Sequence, residues 1–346
     1  MSRRESAVLA ALLTTLSIVF LLSLAMGSTA IPLVRVVRAL LHPGDESNPF
    51  AMVVASIRLP RSLTAMLAGA ALGIAGLQMQ TLFRNPLADP FALGISSGAS
   101  LGVALVVLGS GYGPAVAFGT AMGLRGDLLI TVAAIVGAAL VLGLVLIVSS
   151  HLANPATVLI LGLMFGYAVS AIVTVLVGAS QPERLQQWAQ WGFGSFSGVT
   201  WERFKLFGPL ILSGIVIAAT TTKQLNALLL GENYARSMGL AVRRARFLTM
   251  LGASILGAMV TAFCGPISFL GIAVPHLCRG FLGSSDHRVL VPAVVLMGAA
   301  VALVAQIVSL LPGGGTVLPL NAVTSLMGAP VVIAVLLRSR RGAFAG

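Results

Sequence analysis

The sequence predicts an all-α integral membrane protein of ten transmembrane helices with both termini in the cytoplasm. Three observations carry that prediction. Apolar residues make up 58% of the 346-residue chain, charged residues 9%, and mean hydropathy is +1.02. Apolar runs of about 20 residues, the length that crosses a bilayer core, recur along the whole chain. The runs are continuous rather than alternating, which excludes a β-barrel. A soluble chain of this size could not hide so much apolar surface in one core.

Taken in order, the first span (7–28) follows a basic flank and precedes small residues, like a secretion signal. Its apolar stretch, Ala7 to Met26, is longer than the roughly 7–15 residues of a signal core, so it reads as a helix of the bundle. The second span (62–83) is filled with Gly and Ala, a composition suited to close helix packing around a pathway. A polar break from Asn85 to Pro90 leads into the Gly-rich third span (91–110). The fourth (127–149) is rich in Leu and Val, and the fifth (156–178) carries a GxxxG step at Gly162 and Gly166 that suits close packing with a neighbour or within the subunit. The sixth (204–222), seventh (246–263), short eighth (268–283), ninth (289–311) and tenth (318–337) complete the count. One domain covers 1–346.

An even number of spans puts both basic ends on one side, which the positive-inside rule makes cytoplasmic. That side holds 13 of the 21 Lys and Arg residues and the outside holds 8. Four of the eight, Arg35, Arg38, Arg58 and Arg61, crowd the first external loop and invite a functional reading. The net charge of +12 sits in short loops, where it orients helices, so nucleic acid is not expected as a partner. All three tryptophans, Trp188, Trp191 and Trp201, fall in one external segment and read as an interfacial belt or the mouth of a pathway.

Chemistry is conspicuous by what is missing. No GxxxxGK[ST] or HExxH occurs, and no catalytic residue, metal site or resident cofactor is assigned. Cys264 and Cys278 lack metal-ligand spacing and read as small core residues, and Met79, Met164 and Met259 read as packing. Every acidic residue maps to a loop or a helix end, which weighs against a stand-alone secondary transporter and for energy supplied by a partner. The long cytoplasmic loop at 223–246 suits such a partner. Its LNALLLGENYARSMGL reads as two short helices broken at Gly231 and stopped at Gly239, with Tyr234, Ala235, Met238 and Leu240 as a knob.

Six ordered motifs make the chain resemble the FecCD-type permeases, membrane subunits of type II ATP-binding cassette importers for cobalamin, haem and ferric siderophores. They are RLPR at Arg58–Arg61, GAALGIAGLQMQ from Gly69, RNPLADPFALGISSGAS from Arg84, LGENYARSMGL from Leu230, CGPISFLGIAVPHLCR from Cys264 and LPLNAVTSLMGAPVVIAVLLR from Leu318. The resemblance implies a multi-pass protein of the bacterial inner membrane and a second permease subunit, either a second copy, giving a homodimer, or a close relative. It also implies two cytoplasmic ATPase subunits that use the ATP, and an external substrate-binding protein. Gly231, Glu232, Ala235, Arg236 and Gly239 would couple to the ATPase, and Arg58 and Arg61 would face outward to dock acidic groups on the binding protein. The last external loop has no arginine, so Arg35, Arg38 or Arg125 would take its share of docking. Asn85, Pro86, Asp89, Pro90, Gly265, Pro266 and His276 belong to pathway or structural motifs. His276 could ligate haem iron, but it belongs to the motif whatever the cargo, so it reads as structural. The expected cargo is a ferric siderophore or haem, with cobalamin as the alternative.

Overall fold

Small residues decide which helix occupies the centre of this bundle. The computed structural model describes residues 2–27, 29–42, 50–109, 114–149, 152, 154–310 and 317–343. Its α-helices are α1 (Arg3–Ala25), α2 (Leu33–Leu41), α3 (Ala51–Phe83), α4 (Ile95–Val107), α5 (Pro114–Ala121) and α6 (Gly126–Ser149). After these come α7 (Pro155–Gly178), α8 (Pro182–Gly192), α9 (Trp201–Thr220), α10 (Thr222–Leu229) and α11 (Glu232–Ser237). The chain closes with α12 (Val242–Cys264), α13 (Leu270–Leu282), α14 (His287–Leu310) and α15 (Leu320–Ala343). Seven helices are long and apolar enough to cross a membrane, and α4, α13 and the Leu320–Val335 part of α15 are shorter apolar helices. Each predicted span falls on one of these.

Two boundaries moved for local reasons. α1 begins at Arg3 because Ser2 and Glu5 form a capping box: Ser2 Oγ accepts from the Glu5 amide at 3.2 Å, and Glu5 Oε2 accepts from the Ser2 amide at 2.7 Å. α3 begins at Ala51, not Ser62. Pro60 lacks an N–H and crowds the carbonyl four residues back, and the backbone absorbs this by widening to a π turn over Val54–Arg58. Arg58 and Arg61 therefore stand on a helix rather than in the predicted loop.

α3 is the centre. Its apolar window is 83% buried, against 17% for α1. α14, α12, α13 and α9 all pack on it. A Cβ at Gly76 would lie 1.8 Å from the Gly271 carbonyl oxygen, and one at Gly69 would lie 2.1 Å from that of Gly298. α3 thus meets α13 and α14 backbone to backbone. A second seam joins α4 to α6, where a Cβ at Gly102 would lie 1.9 Å from the Ala133 oxygen. Such contacts are what hold helices together in lipid, where apolar side chains gain little by leaving the acyl chains.

The GxxxG step of α7 is used inside the subunit: a Cβ at Gly162 would lie 2.7 Å from the Ala92 oxygen, in the 3-10 turn Pro90–Leu93. Otherwise α7 buries only a stripe and exposes Ile160, Leu163, Met164, Tyr167, Ile172 and Val175. Met164 is therefore not core, unlike the fully buried Met79.

Gly76→Ala should destabilise the fold by about 1–3 kcal/mol or more, since the obstructing atom is a backbone oxygen that cannot rotate away. Gly252→Ala, with open space around it, should be neutral or gain up to about 1 kcal/mol. Thermal unfolding in detergent separates the two.

Candidate functional site

Polar groups gather at the two ends of α3. At its C-terminal end they surround α10 and α11. Gly231 separates these helices at φ +118°, and Gly239 stops the segment at φ +83°, both in the region that favours glycine. Glu232 opens α11. Its Oε1 accepts from Arg246 Nη2 on α12, and its Oε2 lies 3.5 Å from Arg236 Nη2 one turn on. Tyr234 and Met238 project from the surface, but Ala235 is buried, so it is not part of the predicted knob.

Three fastenings tie this segment to the bundle. Arg84, the C-cap of α3, takes a left-handed backbone (φ 47°). Its Nη2 donates to the Leu228 carbonyl at 3.2 Å, placing a cation at the C-terminal end of α10. Gln78 Nε2 donates to Thr221 Oγ1 at 3.2 Å. Asn226 of α10 makes the densest set: Oδ1 accepts the His287 backbone N–H at 2.9 Å and pairs with His287 Nδ1 at 2.8 Å. Its Nδ2 donates to Asp286 Oδ1 at 2.7 Å, while His287 Nε2 meets Thr81 Oγ1 at 2.9 Å. A side-chain chain thus runs from α10 through the buried start of α14 into α3. The Arg288 amide and the Asn226 amide group hold the Asp286 carboxyl below the usual carboxylate range.

The turn after α3 is built from the predicted motif. Asn85 Oδ1 accepts from the Leu87 amide at 2.9 Å, and Pro90 fills the first position of the 3-10 turn. Asp89 caps that turn, Oδ1 accepting from the Ala92 amide at 3.0 Å. Burial pushes the Asp89 carboxyl up to about 6, against the pull of the Ala92 and Phe91 amides. His276 Nε2 lies 2.7 Å from the Pro86 carbonyl and donates to it, which fastens α13 to the turn. Among the described residues no three His, Cys, Asp or Glu side chains gather as metal ligands. Arg279 Nη1 donates to Gln80 Oε1 at 2.6 Å. An open cleft of about 640 Å³ separates Leu228–Tyr234 from the start of α7.

The other end of α3 corrects one expectation. Arg58 does not face outward; it is 6% exposed. Its Nη1 donates to the Leu24 and Ala25 carbonyls, both at 2.8 Å, and its Nη2 to the Thr29 carbonyl at 2.6 Å. The last carbonyls of α1 have no partner within their helix, and Arg58 satisfies them. Arg61 is half-buried and lines a small cavity with Ser195, Ser197, Gln306 and Ser309. Arg61 Nε and Gln306 Oε1 are both buried without a hydrogen-bond partner among the described residues. Arg35 stacks on the Phe50 ring at 5.3 Å, while Arg38 and Arg125 are exposed.

Gly265 (φ +75°) and Pro266 turn the chain from α12 toward α13, so close to α8 that a Cβ at Gly265 would lie 2.4 Å from the Trp191 oxygen. The tryptophans are more than a belt. Trp188 and Trp191 pack on the main core, and Trp201 Nε1 donates to the Ala55 carbonyl at 2.7 Å. Cys264 and Cys278 are buried free thiols.

Sequence reasoning missed Gln80, Asn226, Arg246, Asp286 and His287 as fastenings. Gln78, Gln80 and Thr81 near the end of an otherwise apolar run were the available signal, since polar groups there need partners.

The sequence profile of the FecCD transport family matches residues 15–338. The chain belongs to the FecCD transport family. Among its relatives is the vitamin B12 import system permease protein BtuC of Klebsiella pneumoniae, 37% identical over 98% of this chain and 96% of that protein. The BtuC of Salmonella typhi is 38% identical over 86% and 88%. A structure described as the inward-facing conformation of a metal-chelate type ABC transporter superposes with a TM-score of 0.82 at 26% identity, covering 96% of this chain and 99% of that one. PsaBC from Streptococcus pneumoniae in complex with Fab shares the fold alone, with a TM-score of 0.54 at 16% identity over 86% and 94%. This FecCD chain is a multi-pass membrane permease of the ATP-binding cassette class.

The raised Asp89 pKa sets a pH dependence. A carboxyl whose pKa rises on folding contributes stability that is present below about 4 and lost as pH climbs through about 6. Asp89→Asn keeps an uncharged acceptor for the Ala92 amide. It should melt above the parent at pH 7.5, and the two should converge toward pH 4; a gap equal at both pH values would contradict the assignment.

Proposed function

We propose that this chain is the single-domain (1–346) permease subunit of a type II importer of the bacterial inner membrane. It works with a second, identical copy, two cytoplasmic ATPase subunits and an external binding protein, and no catalytic residue or resident cofactor of its own. The observation that carries the reading is the α10–α11 segment. It presents Tyr234, Arg236 and Met238 to the surface while Arg84, Asn226, Glu232 and Arg246 fasten it to α3, α14 and α12. A push there cannot be absorbed locally. With ten spans and cytoplasmic termini, this segment faces the ATPase, and α7, with most of its circumference uncovered, supplies surface for the second copy and the path.

The cargo is a bulky metal chelate. Relatives named for vitamin B12 import put cobalamin level with a ferric siderophore or haem. A stand-alone secondary transporter is disfavoured. Every described acidic residue stands in a turn, just before a helix or in its first turn, and none at mid-span. Docking of the binding protein falls to Arg61, since Arg58 is committed to α1; complementary charge steers the encounter.

Reconstituted with its cognate ATPase and binding protein, the chain should accumulate one of the three cargoes only when ATP is added. Glu232→Gln should lower that uptake at unchanged binding-protein affinity. Arg61→Glu should weaken binding-protein affinity by about tenfold, equivalent to ~1.4 kcal/mol. Uptake driven by an ion gradient without the ATPase would overturn the reading.

A further inference from the structure

A second, smaller cleft beside the α10 fastening, about 220 Å³, is lined by Gln80, Thr81, Arg84, Pro86, Leu229 and Arg279. Two of the six are guanidinium groups and none is a carboxylate. Each arginine is oriented by one protein bond: Arg84 Nη2 donates to the Leu228 carbonyl, and Arg279 Nη1 to Gln80 Oε1. Gln80 is itself fixed, its Nε2 donating to the Gly271 and Ile272 carbonyls at 3.3 and 3.2 Å. The other guanidinium N–H groups of both arginines have no protein acceptor, and neither residue joins a salt bridge, among the described residues. Glu232 lines the adjoining larger cleft and is committed to Arg246 and Arg236.

We propose that Arg84 and Arg279 clasp a phosphate group in this cleft. Guanidinium N–H groups in a planar fork match phosphate oxygens, and two forks held by separate elements approach the anion from two sides. Both arginines stand at the ends of apolar helices, the level at which phospholipid headgroups lie, and basic pockets between helices at that level hold anionic headgroups. Leu87, Leu229 and Phe281 are exposed nearby, an apolar rim along which acyl chains would run. The phosphate would belong to an anionic phospholipid or be free in solution. Its occupant would bridge the residue that caps α10 and the residue that holds Gln80, stapling the coupling segment to α13. The proposal stands independently of the cargo and of the direction of transport.

The test uses the full chain in nanodiscs of phosphatidylcholine, with and without phosphatidylglycerol, read by native mass spectrometry and by thermal unfolding. The parent should retain phosphatidylglycerol and melt higher in its presence. Arg84→Gln and Arg279→Gln should each cut retention by about tenfold. Arg288→Gln, exposed and outside the cleft, should not change it. Inorganic phosphate is titrated into phosphatidylcholine discs as the second arm. A saturable rise in melting temperature, absent in the Gln variants, assigns free phosphate as an occupant; an effect of phosphatidylglycerol alone assigns the lipid. Should a Gln variant not fold, Arg84→Lys and Arg279→Lys keep the charge, lose the fork and should still weaken retention. Equal retention and equal phosphate response in parent and folded variants would overturn the proposal.

Discussion

Where α3 passes α13 and α14, only hydrogen atoms on Gly76 and Gly69 separate one helix backbone from the carbonyl oxygens of the next. The rest of the bundle depends on that contact. In a bilayer the backbone polar groups are satisfied inside each helix, so helices associate through close packing rather than through the hydrophobic effect. Removing side chains along one helix lets four neighbours reach it, and it becomes the shaft around which they are arranged. A helix so enclosed can be tethered at both ends: Arg58 fastens one end to α1, and Thr81, Gln78 and Arg84 fasten the other to α14 and α10.

That arrangement joins the surface segment α10–α11 to the centre of the bundle by a continuous set of hydrogen bonds. A movement imposed on α10 and α11 meets Arg84 and Asn226 at once, and through His287 and Thr81 it reaches α3. α3 in turn touches α13 and α14 without a compressible side chain between them. α7 is bound by a narrow stripe, against α4, the 3-10 turn, α6 and α3, and leaves the rest of its surface uncovered.

Much of this was legible in the sequence. The ten apolar runs each coincide with a helix, and the Gly and Ala content of 62–83 marked the packed interior. Gly231 and Gly239 mark the α10–α11 segment because only glycine takes those backbone angles cheaply. What remained illegible depends on three-dimensional partners. RLPR looked like an external loop because charge and proline interrupt a hydropathy run. The helix passes through by means of a π turn, and the guanidinium of Arg58 is solvated by carbonyls more than 25 residues away in sequence. The Asn226–His287 pairing joins residues 61 apart, and no local pattern foretells it.

The central claim is that α3 is shielded from lipid over 62–83 while outer helices are not. Photolabelling with a lipid-soluble diazirine, read peptide by peptide, tests it directly. Peptides covering 65–82 should remain essentially unlabelled, while those from α1 and α9, whose apolar windows are 17% and 22% buried, should carry the carbene. Labelling of α3 as heavy as that of α1 or α9 would contradict the account.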